Sequence, residues 1–157
     1  MQLFFVYNID KHFKEIIFMI YNKDCIFCKI TNHQIDTTII YEDDDVVAFL
    51  DNNPVSYGHC LVVSKDHYDS FLSTPKTVMN KVMNVAQRIG QVDITSLGAK
   101  GVNILTNCYE AAGQTIRHFH VHVIPRYDAP DGLKLEMNKF GNLNLPSIAT
   151  KLKDALK

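Results

Sequence analysis

The segment His118-Phe119-His120-Val121-His122-Val123-Ile124 carries three imidazoles at strict alternation, just ahead of Pro125. A β-strand sends successive side chains to opposite faces. A strand here therefore lines all three rings on one face and turns Phe119, Val121 and Val123 into a core. The β-branched and aromatic content of the segment supports that reading. Imidazole serves near neutral pH as general acid or base, as nucleophile and as metal ligand. Three rings on an exposed strand face are read as chemistry, against the plainer alternatives of surface histidines or an incidental metal patch. The middle ring, His120, has a histidine on either side and is the best-placed nucleophile. A second group of reactive residues is Cys25-Ile26-Phe27-Cys28. A Cys-x-x-Cys pair chelates Zn²⁺ when two further ligands complete a tetrahedron. A redox pair, which would lack a thioredoxin-like βαβ setting, and two buried thiols are the alternatives. Cys60 and Cys108 have no comparable spacing and are read as buried or half-buried thiols.

The elements that must position these groups are legible in outline. Ile39 to Glu42 and Val46 to Leu50 read as strands around the acidic turn Asp43-Asp44-Asp45. Asp51-Asn52-Asn53-Pro54 breaks the chain, and His59 to Ser64 is a further strand. Val78, Val82, Val85, Ala86 and Ile89 fall on one stripe of a helix. Ser73 or Thr74 can cap that helix, Pro75 suits its first turn, and Gly90 or Gly98 brackets its end. Val102 to Thr106 and Arg117 to Ile124 are two more strands. Pro146 to Leu156 is a closing helix with Ile148, Leu152 and Ala155 expected inward. Strands clustered around one or two helices, without βαβ alternation, predict an α+β domain over residues 24–157.

At 157 residues, 46% hydrophobic and 21% charged, the chain has the composition of a soluble single-domain protein. A net charge of −1 provides no basic surplus for a nucleic-acid phosphate track, and no stretch is long enough to span a membrane. The four cysteines, without a secretory signal, predict reduced thiols in a cytoplasmic setting. Residues 1–23 form an extension in which Asp10, Lys11, Lys14 and Glu15 interrupt two apolar runs, so it fails as a signal peptide. Two readings stand: a short extra helix or strand laid on the domain, or sequence upstream of a natural start at Met19.

Several blocks together carry a family resemblance. The alternating histidines follow Ala112-Gly113-Gln114-Thr115. Cys25-Ile26-Phe27-Cys28-Lys29-Ile30 stands near the start, and Ala48-Phe49-Leu50-Asp51, Gly58-His59 and Lys65-Asp66-His67 lie between. From about Asp24 to Tyr127 the chain resembles the histidine triad (HIT) nucleotide-binding superfamily, most closely the Hint branch that carries the cysteine pair. The resemblance implies an antiparallel sheet with one central and one C-terminal helix, assembled as a homodimer. It implies a purine nucleotide substrate and a covalent nucleotidyl intermediate on His120. His122, Asn107, Gln114 and the backbone from Gly113 to Thr115 would contact phosphate oxygens, with His59 beside the site. Phe27, Ile30 and Phe49 resemble the family's apolar walls around a base, although core packing explains each equally well. Asp51 could accept hydrogen bonds from ribose hydroxyls or simply form the turn before Pro54. By the same resemblance Cys25, Cys28, His67 and His118 hold a structural zinc ion.

The activity so implied is cleavage of purine nucleoside phosphoramidates or related nucleoside 5′-phosphate derivatives at the α-phosphate. A dinucleoside polyphosphate hydrolase and a zinc-stabilised nucleotide-binding scaffold are the alternatives. The chain departs from the family pattern at Thr115, usually serine, at Ser64, commonly proline, and at Cys108-Tyr109, usually asparagine-glycine. If the glycine position needs positive φ, Tyr109 is strained there.

Overall fold

The computed structural model describes residues 2–7, 16–138 and 140–157. Strands β1 (Gln2–Tyr7) and β2 (Ile16–Tyr21) are followed by helix α1 (Ile26–Thr31) and strands β3 (Ile39–Glu42), β4 (Val46–Leu50) and β5 (Cys60–Ser64). Helix α2 (Lys76–Ser96), strands β6 (Gly101–Leu105) and β7 (His120–Arg126), and helix α3 (Leu145–Ala155) complete the chain. One sheet has the order β3-β4-β5-β7-β6, antiparallel throughout, and β1 pairs with β2 in a separate two-stranded sheet. The α+β architecture thus stands as expected. The described residues of the N-terminal extension form strands. Ile20 is tied to the domain, donating its N–H to Asp66 Oδ1 (2.8 Å) and accepting from the His67 N–H (2.7 Å).

The five-stranded sheet is covered on both faces, which explains why Val46, Val47, Ala48 and Phe49 are all buried. Period-two alternation divides them. Val46, Ala48, Val62, Phe119, Val121 and Val123 pack on Val82, Val85 and Ala86 of α2. Val47, Phe49, Leu61 and Val63 pack on Tyr21, Phe27 and Ile30. Each fully buried valine contributes about 1.5–3 kcal/mol by leaving water. Because β7 alternates with this core, Val63 pairs with His120 and Leu61 with His122, and those two rings share the α1 face.

Strand β5 starts one residue later than expected and β6 is shifted one residue earlier, and three larger departures accompany them. Strand β7 begins at His120 rather than Arg117, because the Phe119 N–H turns to the Tyr68 carbonyl (2.6 Å) instead of joining the sheet. It runs on through Pro125, where only β6 flanks it, since β5 pairs no further than Val123. Helix α2 takes no side-chain cap from Ser73 or Thr74, whose hydroxyls bond the Ser70 carbonyl at 3.1 and 2.8 Å. It also passes through Gly90, which lies against Val102, and Gly98 at φ +73°, just past the Leu97 cap, is the glycine that brackets its end. Finally, α3 forms with Asn144 as its cap, but Ile148, Leu152 and Ala155 are exposed rather than inward. An amphipathic stripe shows that a face exists, not what covers it. Among the described residues no helix is long and apolar enough to cross a membrane.

Candidate functional site

The histidine row is not an exposed face. His118 is 0% and His120 6% exposed, because α1 and the segment before it close over the sheet. Phe27 stands edge-on to His120 with ring centroids 5.1 Å apart, and Phe49 packs on Phe27. Phe27, Ile30 and Phe49 are therefore core residues, and Phe27 at the same time walls the His120 ring.

Each ring's partners fix where its proton sits. His120 Nδ1 lies 2.6 Å from the His118 carbonyl, which can only accept. Nδ1 therefore carries the hydrogen, and Nε2 presents a free lone pair. His59 Nδ1 receives the Val55 N–H at 3.3 Å, so the His59 proton is on Nε2. That nitrogen lies 3.0 Å from His122 Nδ1 and 3.6 Å from Asp51 Oδ2. His122 then accepts at Nδ1 and holds its own hydrogen on Nε2. Burial pushes the His120 and His59 imidazoles below their ordinary values. For His122, burial with the neighbouring His120 and His59 lowers it to about 4. All three rings are neutral at pH 7: His120 is a nucleophile in form and His122 a donor. Asp51, His59 and His122 also place three metal-type ligand atoms within 4.8 Å of one another. The Val55 N–H, however, commits His59 Nδ1 as an acceptor, so Nε2 has no lone pair to offer an ion. This set reads as a hydrogen-bonded relay.

At the other end of the row, Cys25, Cys28, His67 and His118 converge with all ligand atoms within 4.8 Å. Cys25 Sγ lies 3.4 Å and Cys28 Sγ 3.5 Å from His118 Nδ1, and Cys28 Sγ lies 3.3 Å from His67 Nδ1. A tetrahedral ion with bonds of about 2.3 Å to sulfur and 2.0–2.1 Å to nitrogen separates those atoms by about 3.6 Å. The cluster is already near that spacing. His118 Nε2 donates to the Ser64 carbonyl at 2.8 Å, and His67 Nε2 faces Asp69 Oδ1 at 3.4 Å. Both rings are so oriented that the Nδ1 lone pairs point at sulfur, the arrangement outer partners impose on metal-ligating histidines. The Cys25 thiol is drawn far below its usual value by a hydrogen bond from Cys28, with His118 adding to the effect, while Cys28 as donor is pushed up. The donor set fits zinc.

The remaining predicted residues are only partly gathered. Gln114 is 6% exposed and turned inward, donating to the carbonyls of Asp69 (2.6 Å) and Ile116 (3.0 Å) and accepting from the Tyr109 N–H (2.7 Å). Its side chain thus braces the loop before the triad. Asn107 reaches the Gly113 carbonyl at 3.4 Å, Gly113 takes φ +84°, and Thr115 is exposed. Tyr109 does take a positive φ, +68°, where the sequence anticipated strain. Three contributors had no sequence signal: Val55 and Ser64 act through their backbones, and Asp69 is one acidic residue among many. Cys60 is buried and Cys108 half-buried, as expected.

A five-stranded antiparallel sheet with two histidines of β7 on one face, met by His59 from the loop before β5 and backed by a Cys/His cluster, defines an α+β domain with an imidazole-centred site. The chain belongs to the HIT domain family, whose model matches residues 32–129. It is 39% identical over 129 residues to an uncharacterised HIT-like protein of Methanocaldococcus jannaschii, covering 82% of this chain and 98% of that one. It is also 39% identical over 103 residues to the adenylylsulfatase HINT3 of Arabidopsis thaliana, covering 66% of this chain and 52% of that protein. The crystal structure of a HIT family protein from Bacillus anthracis superimposes with a TM-score of 0.78 at 35% identity, over 86% of this chain and 99% of that one.

Proposed function

We propose that this protein is a nucleotidyl hydrolase of the Hint type, cleaving purine nucleoside phosphoramidates or related nucleoside 5′-phosphate derivatives at the α-phosphate. The observation that carries the reading is the 2.6 Å contact of His120 Nδ1 with the His118 carbonyl, which frees Nε2 for attack. In the first step that lone pair forms a bond to phosphorus as the bond to the leaving group breaks, and the leaving group departs with the electron pair and takes up a proton from solvent. His122 Nε2–H, held in this tautomer by His59, donates to a non-bridging phosphate oxygen, where charge develops. In the second step water displaces His120 and releases the nucleoside monophosphate. Asp51, half-buried beside His59, would accept from the ribose hydroxyls. Asn107, the Gly113–Thr115 backbone and the Thr115 hydroxyl would meet the phosphate. Phe27 would flank the base, and Ile30 and Phe49 would support it from the core. Cys25, Cys28, His67 and His118 would hold zinc, which would tie the N-terminal segment to the sheet without touching substrate.

The adenylylsulfatase relative supports a nucleoside 5′-phosphate with a good leaving group as substrate. A homodimer in the cytoplasm completes the reading; the dimer is supported by β6, which lies at the edge of the sheet among the described residues with Ile104 44% exposed. The test is a substrate panel of adenosine and guanosine 5′-phosphoramidates, adenosine 5′-phosphosulfate and diadenosine polyphosphates. Preferred turnover of the phosphoramidates supports the proposal, and preference for the dinucleotides would replace it with a polyphosphate hydrolase. Binding of AMP with no turnover of any substrate would leave a zinc-stabilised scaffold.

A further inference from the structure

On the face of the sheet away from the histidines, the C-terminal half of α2 roofs a cavity of about 360 Å³. Ile40 and Tyr41 of β3, Leu50 of β4, and Val92 and Leu97 line it, with Asp93 in its wall. Pockets of this size suit small organic ligands held by hydrocarbon and one or two polar groups. Asp93 is only 3% exposed, its Oδ2 has no hydrogen-bond partner, and it takes part in none of the ion pairs among the described residues. The one guanidinium on this cavity, that of Arg88, is engaged elsewhere. It lies over the Tyr41 ring at 5.1 Å, with Nη1 3.5 Å from the phenol oxygen.

Helix geometry does not explain an acid at this position. The Asp93 backbone carbonyl closes α2 by accepting from Leu97 (3.2 Å) and Ala99 (3.1 Å), which any residue could do. A buried carboxylate with no donor is destabilising by several kcal/mol. A hard metal ion is a poor occupant, because it requires six or more oxygen ligands and this wall offers one carboxylate. We propose that the cavity binds a small organic ammonium ion, its hydrocarbon part against Leu50, Val92 and Leu97 and its N–H groups donating to the Asp93 carboxylate.

The test is a titration of the isotopically labelled full chain with 2-phenylethylammonium, followed through the amide resonances of Gly58, Val92 and Leu97. The uncharged isostere 2-phenylethanol and the variant Asp93→Asn serve as controls. Asp93→Asn removes a buried charge and keeps the shape, so it is expected to fold. Saturable shifts at those amides are expected. Affinity should drop about tenfold or more for the alcohol, and equally for the amine in Asp93→Asn, as loss of a charged hydrogen bond requires. No saturable shift, the outcome if water alone hydrates Asp93, overturns the proposal. So does equal affinity for amine and alcohol, or unchanged amine affinity in Asp93→Asn.

Discussion

The two ends of the histidine row use the same side chain for opposite purposes. At the His118 end, a backbone carbonyl takes the Nε2 proton and leaves Nδ1 facing two thiols. At the His120 end, a carbonyl takes the Nδ1 proton and leaves Nε2 free beside His122. The rings belong to one alternating segment, yet the acceptor each one meets decides whether it is suited to hold an ion or to attack phosphorus. Residue type and spacing set what is possible, and one hydrogen bond per ring selects among the possibilities.

The division can be broken most forcefully at the sulfur end. Cys28→Ala should abolish zinc binding and destabilise the fold by several kcal/mol, since zinc binding in small domains is worth on the order of 10 kcal/mol. Metal analysis with urea unfolding measures both, and unchanged stability would mean the cluster is only buried thiols. At the reactive end, His59→Ala should lower kcat/KM by about tenfold to hundredfold through loss of the His122 orientation. His59→Gln, whose amide N–H can again donate to His122 Nδ1, should recover part of that loss. Metal content should stay at the wild-type level in both variants, which separates the two ends.

The α2 face offers a contrast in charge. Burial raises the Asp93 carboxyl from 3.8 to about 6, so the folded state binds this proton more tightly than the unfolded state. Its stabilising effect is complete below pH ~4, is lost as pH rises through about 6, and does not return above. Asp93→Asn should therefore match wild type near pH 4 and exceed it by on the order of 1–3 kcal/mol at pH 7. Cys60, Tyr127 and Arg88 lie near this carboxyl, and the first two feel its charge. Equal unfolding curves at pH 7 would show the carboxylate to be well solvated. The smallest effect belongs to Tyr109→Gly, which relieves a φ of +68° and should stabilise by about 1 kcal/mol in calorimetry.

Much of this was legible in the sequence. Strands β3 and β4 begin and end where alternation and turn residues place them, and β5 differs by one residue. The Cys/His set assembles from segments more than 90 residues apart in sequence, Cys25 and His118 among them. What was hidden depends on the third dimension. Burial of the histidine face comes from α1 folding over it, which no period in residues 118–124 encodes. Of the two glycines read as a possible helix end, Gly98 follows the cap, whereas Gly90 serves as a close-contact point against Val102. The stripe on α3 gave its helix correctly but not its surroundings. The backbone donors and acceptors that set each tautomer, Val55, Ser64 and His118, leave no trace in side-chain type.

Whether His120 Nε2 is the nucleophile is read out by rapid-quench mass spectrometry of the protein turning over adenosine 5′-phosphoramidate. An adenylyl adduct that peptide mapping places on His120, absent in His120→Ala, is the expected result. An adduct on His122 or another residue, or full turnover by His120→Ala, would contradict it.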